Sequence, residues 1–151
     1  MKRTFKPLLL LTIILILFAQ CNGGTAISQV DSSYKFIELA AHKDFAEAKT
    51  MYAEKYLDSA RAKFEFNEAG RLLKILGIPA KESAKVTIEE VQGFTKITVE
   101  YNLLDSKNKI ARKDIREAKL QFIYSKNQYS NKILSFFVSA QYQSELEPVH
   151  R

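Results

Sequence analysis

Apolar residues recur along this chain at three different spacings. From Leu8 to Ala19 they are almost continuous (LLLLTIILILFA). From about residue 32 to residue 76 they return every third or fourth position, as one face of a helix requires, and after about Lys81 at every second position, as a strand requires. The helical stretch predicts three helices. The first covers residues 32–41, with Asp31 as its cap and Tyr34, Ile37 and Ala41 on one face. His42–Lys43 interrupts it. Asp44–Phe45–Ala46–Glu47 has the residue types of a capping box, with Asp in place of Ser or Thr. It opens a second helix to about Leu57, on which Phe45, Ala48, Met51 (or Tyr52) and Tyr56 repeat. Residues 59–76 form one long helix or two shorter ones bearing Phe64, Leu72, Leu73, Ile75 and Leu76. Gly77 suits the position after a helix end, and Pro79 blocks its resumption.

The alternating stretch predicts four strands. Residues 85–91 place Val86 and Ile88 on one face. Residues 95–103 place Ile97, Val99, Tyr101 and Leu103 on one face, with Lys96, Thr98, Glu100 and Asn102 opposite. Residues 116–124 turn Ala118, Leu120, Phe122 and Tyr124 inward. Residues 132–142 do the same with Leu134, Phe136, Val138, Ala140 and Tyr142. Residues 105–109 and 125–131 are turn-forming, and connections this short imply adjacent antiparallel pairing. The expected fold class is α+β, with amino-terminal helices packed on a curved antiparallel sheet of about four strands.

The apolar run has a different meaning. Met1–Pro7 carries Lys2, Arg3 and Lys6, and no acid precedes Asp31. Twelve helical residues rise about 18 Å, short of the ~30 Å hydrocarbon core, so the run suits an export signal better than a permanent span. It ends at Cys21, the chain's only cysteine. Leu17–Phe18–Ala19–Gln20–Cys21 resembles the lipobox of bacterial lipoproteins, with Gln20 where that pattern prefers a small residue and Phe18 where it prefers an aliphatic one. The resemblance implies cleavage after residue 20 and a diacylglycerol thioether on Cys21. Two or three chains at ~0.8 kcal/mol per buried methylene give stable anchoring. Asn22 in place of Asp favours the outer membrane over the inner by the family's sorting rule. The expected division is a signal peptide over 1–20, a lipidated tether over 21–31, the domain over 32–147 and a tail over 148–151. An uncleaved anchor and a simple secreted protein are the rival readings.

Without the signal's three positive charges, the chain has 20 basic and 17 acidic side chains. That balance, interleaved as in Lys113–Asp114–Arg116–Glu117, describes a mixed solvated surface and argues against nucleic acid as a partner. Apolar residues at 46 % and charged residues at 26 % are ordinary for a folded domain and argue against long disorder. His42, His150 and the committed Cys21 are too few and too scattered for a metal set. No nucleophile elbow and no glycine-rich phosphate loop occurs, and no cofactor is called for. Asp44, Asp58 and Asp114 are the lone acids that pocket chemistry could use, but they read first as two helix caps and a strand-edge residue.

The element order resembles the nuclear-transport-factor-2-like, or cystatin-like cone, superfamily over about 110 residues. The resemblance is carried by Phe36–Ala41, the break at His42–Lys43 and Asp44–Ala48. It continues in Leu120–Tyr124, the turn at Ser125–Gln128, then Tyr129 and Lys132–Ile133, although many relatives have a Trp here and this chain has none. It implies a helix–sheet interior that is either a packed core or a ligand pocket. Tyr52, Tyr56, Phe64, Tyr101, Phe122 and Phe136 would line such a pocket. It also implies association through the sheet's outer face, where Ile123, Ile133 and Phe137 would point. Fold does not fix function. The expected protein is an envelope lipoprotein, held to the membrane by the lipid on Cys21, with a non-catalytic ligand- or protein-binding domain. A homodimer or an envelope protein is the expected partner at the sheet face. An isomerase- or dehydratase-type enzyme using the cone pocket, or a structural component of an envelope assembly, are the alternatives.

Overall fold

The computed structural model describes residues 26–104, 114–127 and 131–142. Residues 26–42 are helical (α1), followed by α2 (Phe45–Lys49), α3 (Ser59–Leu76) and strands β1 (Lys85–Val91), β2 (Phe94–Asn102), β3 (Ile115–Ser125) and β4 (Ser135–Tyr142). The strands form one antiparallel sheet in the order β1-β2-β3-β4. The helices pack on it, and the fold is α+β. Alternation fixes which side of each strand is inward: Ile97, Val99, Tyr101, Ala118, Leu120, Phe122 and Tyr124 are wholly buried. Lys96, Thr98, Glu100, Lys119 and Gln121 lie on the opposite face. Gln92 and Gly93 both have positive φ (47° and 85°), as the two-residue turn of the β1–β2 hairpin requires.

α1 differs from the expected helix at its start. It includes residues 26–31, which read as tether, and Asp31 lies within it rather than capping it. Its buried positions are Gln29, Ser33, Phe36, Ile37 and Ala40, one helical stripe whose first two members are polar and so invisible to an apolar period. Ser33 is accounted for by the hydrogen bond between its hydroxyl and that of Tyr124 (2.7 Å). Burial pushes the Tyr124 phenol up to about 12, against the hydroxyls of Ser33 and Ser32, which pull it down.

α2 is much shorter than expected. Its N-cap is Asp44, whose Oδ1 accepts from the Glu47 N–H (3.1 Å), but the helix stops at Lys49. Residues 51–53 instead pair with the chain before β4: Ile133 N–H donates to Met51 O, and Ala53 N–H donates to Ile133 O, both at 2.9 Å. A longer helix would need those same backbone groups.

α3 has its expected ends. Asp58 Oδ1 accepts from the N–H groups of Ala60 and Arg61 (3.1 and 3.2 Å), and Gly77 closes the helix with a positive φ of 88°. Asp58→Ala should therefore cost about 1 kcal/mol and Asp58→Asn much less, read as a shift in urea midpoint. Gly70 permits close packing of α3 on α1, since a Cβ there would lie 2.8 Å from Ala40 O.

The core between helices and sheet is built from rings. Phe36 stands edge-on to Tyr52, Phe66 and Phe122, with centroids 5.4–5.7 Å apart, and lies 4.8 Å from Phe136. Such contacts add about 0.5–1.5 kcal/mol per pair to area burial.

Candidate functional site

With the interior filled by rings, open space lies at the rim. One hollow of about 120 Å³, room for a few water molecules, lies where the chain before α3 meets the start of β4. It is lined by Tyr52, Tyr56, Asp58, Arg61, Phe136 and Phe137, among others. Each is placed by a local cause. Tyr52 is held by the pairing of residues 51–53 with Ile133, Tyr56 by a turn of 3-10 helix over Glu54–Tyr56, and Asp58 and Arg61 by the cap of α3.

The Tyr52 side chain is almost wholly buried, and its hydroxyl has no hydrogen-bond partner among the described residues. Burial, and then the Glu65 and Tyr124 side chains, hold that phenol well above its ordinary value, so it stays a neutral donor. The Arg61 guanidinium sits 5.1 Å from the centroid of the Phe137 ring, a cation–π distance, and its Nε lies 3.9 Å from Glu65 Oε1. Glu65 Oε2 accepts from the Val138 N–H (2.8 Å). A carboxylate of α3 thus takes up a backbone donor on the outer edge of β4, where a further strand would otherwise pair. The hollow offers aromatic walls and one guanidinium, while the Tyr52 hydroxyl itself is buried. Its two nearest carboxylates, Asp58 and Glu65, are engaged with backbone N–H groups.

Tyr52, Tyr56 and Phe136, expected to line a pocket, do meet at this rim, joined by Phe137, expected at a sheet-face contact. Tyr101 and Phe122 are buried in the core. Phe64 belongs to neither place: it is 65 % exposed on α3, and Phe66 fills the core instead.

The expected outer-face set also changes. Ile133 is wholly buried. β4 begins at Ser135 rather than at residue 132, so alternation does not extend back to Ile133, which turns inward beside Tyr52. Ile123 does lie on the outer face, half-buried and paired with Thr98 on one side and Ser135 on the other. Phe137 is half-buried with Arg61 against its ring. The outer face therefore carries two of the three apolar side chains expected there, set among Lys96, Thr98, Glu100 and Gln121.

Of the lone acids, Asp44 and Asp58 are caps, and Asp114 is exposed at the turn before β3. His42 is exposed at the end of α1. Cys21, His150, the signal and the tail lie outside the described residues. Among the described residues, no group of three or more His, Cys, Asp or Glu is placed to hold a metal, and no helix is long and apolar enough to cross a membrane. Comparison with known proteins finds no matching family model, no matching curated protein and no matching solved structure.

Proposed function

We propose that this chain is a membrane-anchored lipoprotein of the bacterial envelope, held in the outer membrane by lipid on Cys21, with a cone-like domain that acts by binding rather than by catalysis. The observation that carries the anchor is the placement of the only cysteine directly behind a basic, then apolar, leader.

Three features support binding. Packed rings occupy the helix–sheet interior where a substrate pocket would lie. The carboxylates beside the rim hollow are engaged with the backbone. The hollow itself presents a guanidinium and aromatic walls, which suit a small polar group of a partner. The association face is the rim at Tyr56 and Phe137, in place of the broad apolar sheet face expected from the alternation.

The anchor is tested by the intact mass of the protein extracted from membranes. The expected mass is that of a chain beginning at Cys21 plus acyl groups. Cys21→Ala should leave a full-length precursor. A free thiol at position 21, or normal processing of Cys21→Ala, would sink the reading.

A further inference from the structure

We propose that the apolar groove where the start of α1 meets β1 seats the domain on the bilayer to which Cys21 ties it. This rests on the lipid-anchor reading above and adds an orientation to it. The groove, about 350 Å³, is lined by Ala26, Ile27, Val30 and Asp31 of α1, by Val86 of β1 and by Lys81 and Glu82. Ile27 is 63 % exposed. Ile88, two residues beyond Val86 and on the same face of β1, is 50 % exposed, although its register partner Ile97 is wholly buried. The helices thus leave the inner face of β1 partly uncovered. Single exposed apolar residues need no explanation, but a groove lined by exposed Ile27, with Ile88 exposed further along the same face of β1, does.

Chain length identifies the occupant. Four residues separate Cys21 from Ala26, and the five Cα–Cα steps between them, whatever their path, span at most about 18 Å. A lipid on Cys21 therefore keeps this end of the domain at the headgroups. The opposite face of the sheet carries the polar side chains of Lys96, Glu100 and Gln121, which suit water.

Charge identifies the kind of contact. Lys81 Nζ is paired with Asp31 Oδ1 at 2.5 Å, and Glu82 stands beside it, so the groove is not a basic patch. The seat is apolar insertion at the interface rather than attraction to anionic lipid.

The test uses the full-length lipidated protein in phosphatidylcholine vesicles, with and without phosphatidylglycerol. Single thiols are introduced by Ile27→Cys and Ile88→Cys and, as controls on exposed positions elsewhere, by Lys63→Cys and Ser139→Cys. Each carries an environment-sensitive fluorophore, and nitroxide lipids are the quencher. Labels at 27 and 88 should be quenched several-fold more strongly than those at 63 and 139, with little dependence on phosphatidylglycerol or salt. Equal quenching at all four positions on a sample with acyl mass on Cys21 would overturn the seat and leave the anchor standing. Quenching that needs phosphatidylglycerol would replace apolar insertion with charge attraction and overturn it too. So would energy transfer between copies labelled at 27 without lipid quenching, which would make a second copy the occupant. A sample without acyl mass would remove both the anchor and the seat.

Discussion

Val99→Asp should abolish the cooperative thermal transition of the domain. Val99 is wholly buried in β2, with Val86 of β1 and Phe122 of β3 as its register partners. Among the described residues, its neighbours on the inner face offer a carboxylate no cation. Its neighbours on the inner face are Ile97 and Tyr101, and beyond Phe122 lies Phe136. Leaving a buried charge unpaired costs about 3–5 kcal/mol or forces the group to take up a proton at neutral pH. A domain of this size has only about 5–15 kcal/mol to lose, and the substitution also removes apolar packing at the centre of the sheet. Circular dichroism at increasing temperature checks this. The parent should melt cooperatively with mixed helix and sheet signals, and Val99→Asp should show no sigmoidal transition. If both melt together, the inner and outer faces of β2 are exchanged, because a one-residue slip in register moves every side chain to the other face.

The strands were the most legible part of the chain because a period of two leaves little freedom. β1 runs over the residues expected, β2 starts and ends one residue early, and the inward sets of β2 and β3 are those the alternation predicts. α3 was legible from its punctuation, Asp58 before it and Gly77 after it. The errors have physical causes that local pattern cannot carry. The start of α1 was hidden because Gln29 and Ser33 sit on its buried stripe, where tertiary hydrogen bonding, seen at Ser33–Tyr124, replaces apolar contact. The end of α2 was hidden because residues 51–53 exchange helical hydrogen bonds for pairing with Ile133, some 80 residues away in the chain. The same pairing turns Ile133 inward and dissolves the apolar sheet face that Ile123, Ile133 and Phe137 would have made. The rim hollow was half legible. Its aromatic members stood out by type, but Arg61, Asp58 and the unpartnered Tyr52 hydroxyl gain their meaning only from the approach of α3 to the edge of β4. The proposed lipid site is the reverse case: its whole basis is the sequence of the leader and Cys21, outside the described residues.

Phe64 and Phe66 separate what a helical pattern states from what packing decides. They stand two residues apart on α3, so they point some 200° away from each other around the helix axis. Phe66 is wholly buried, edge-on to Phe36 at 5.6 Å and 5.3 Å from Phe45. Phe64 is 65 % exposed. Phe66→Ala should cost about 3–5 kcal/mol, the transfer term plus the cavity left among Phe36, Phe45 and Ala69. Phe64→Ala should fall within about 0.5 kcal/mol of the parent. Urea unfolding of the two variants beside the parent reads this directly, as a large fall in midpoint for Phe66→Ala and almost none for Phe64→Ala, at unchanged slope. The pair is informative because both substitutions remove the same ring from the same helix, so differences in helix propensity cancel. Equal losses would mean that Phe64 is covered in solution. If the loss at Phe64 grew with protein concentration, a second copy would be its cover. If it did not, α3 would sit on the sheet rotated from the position described.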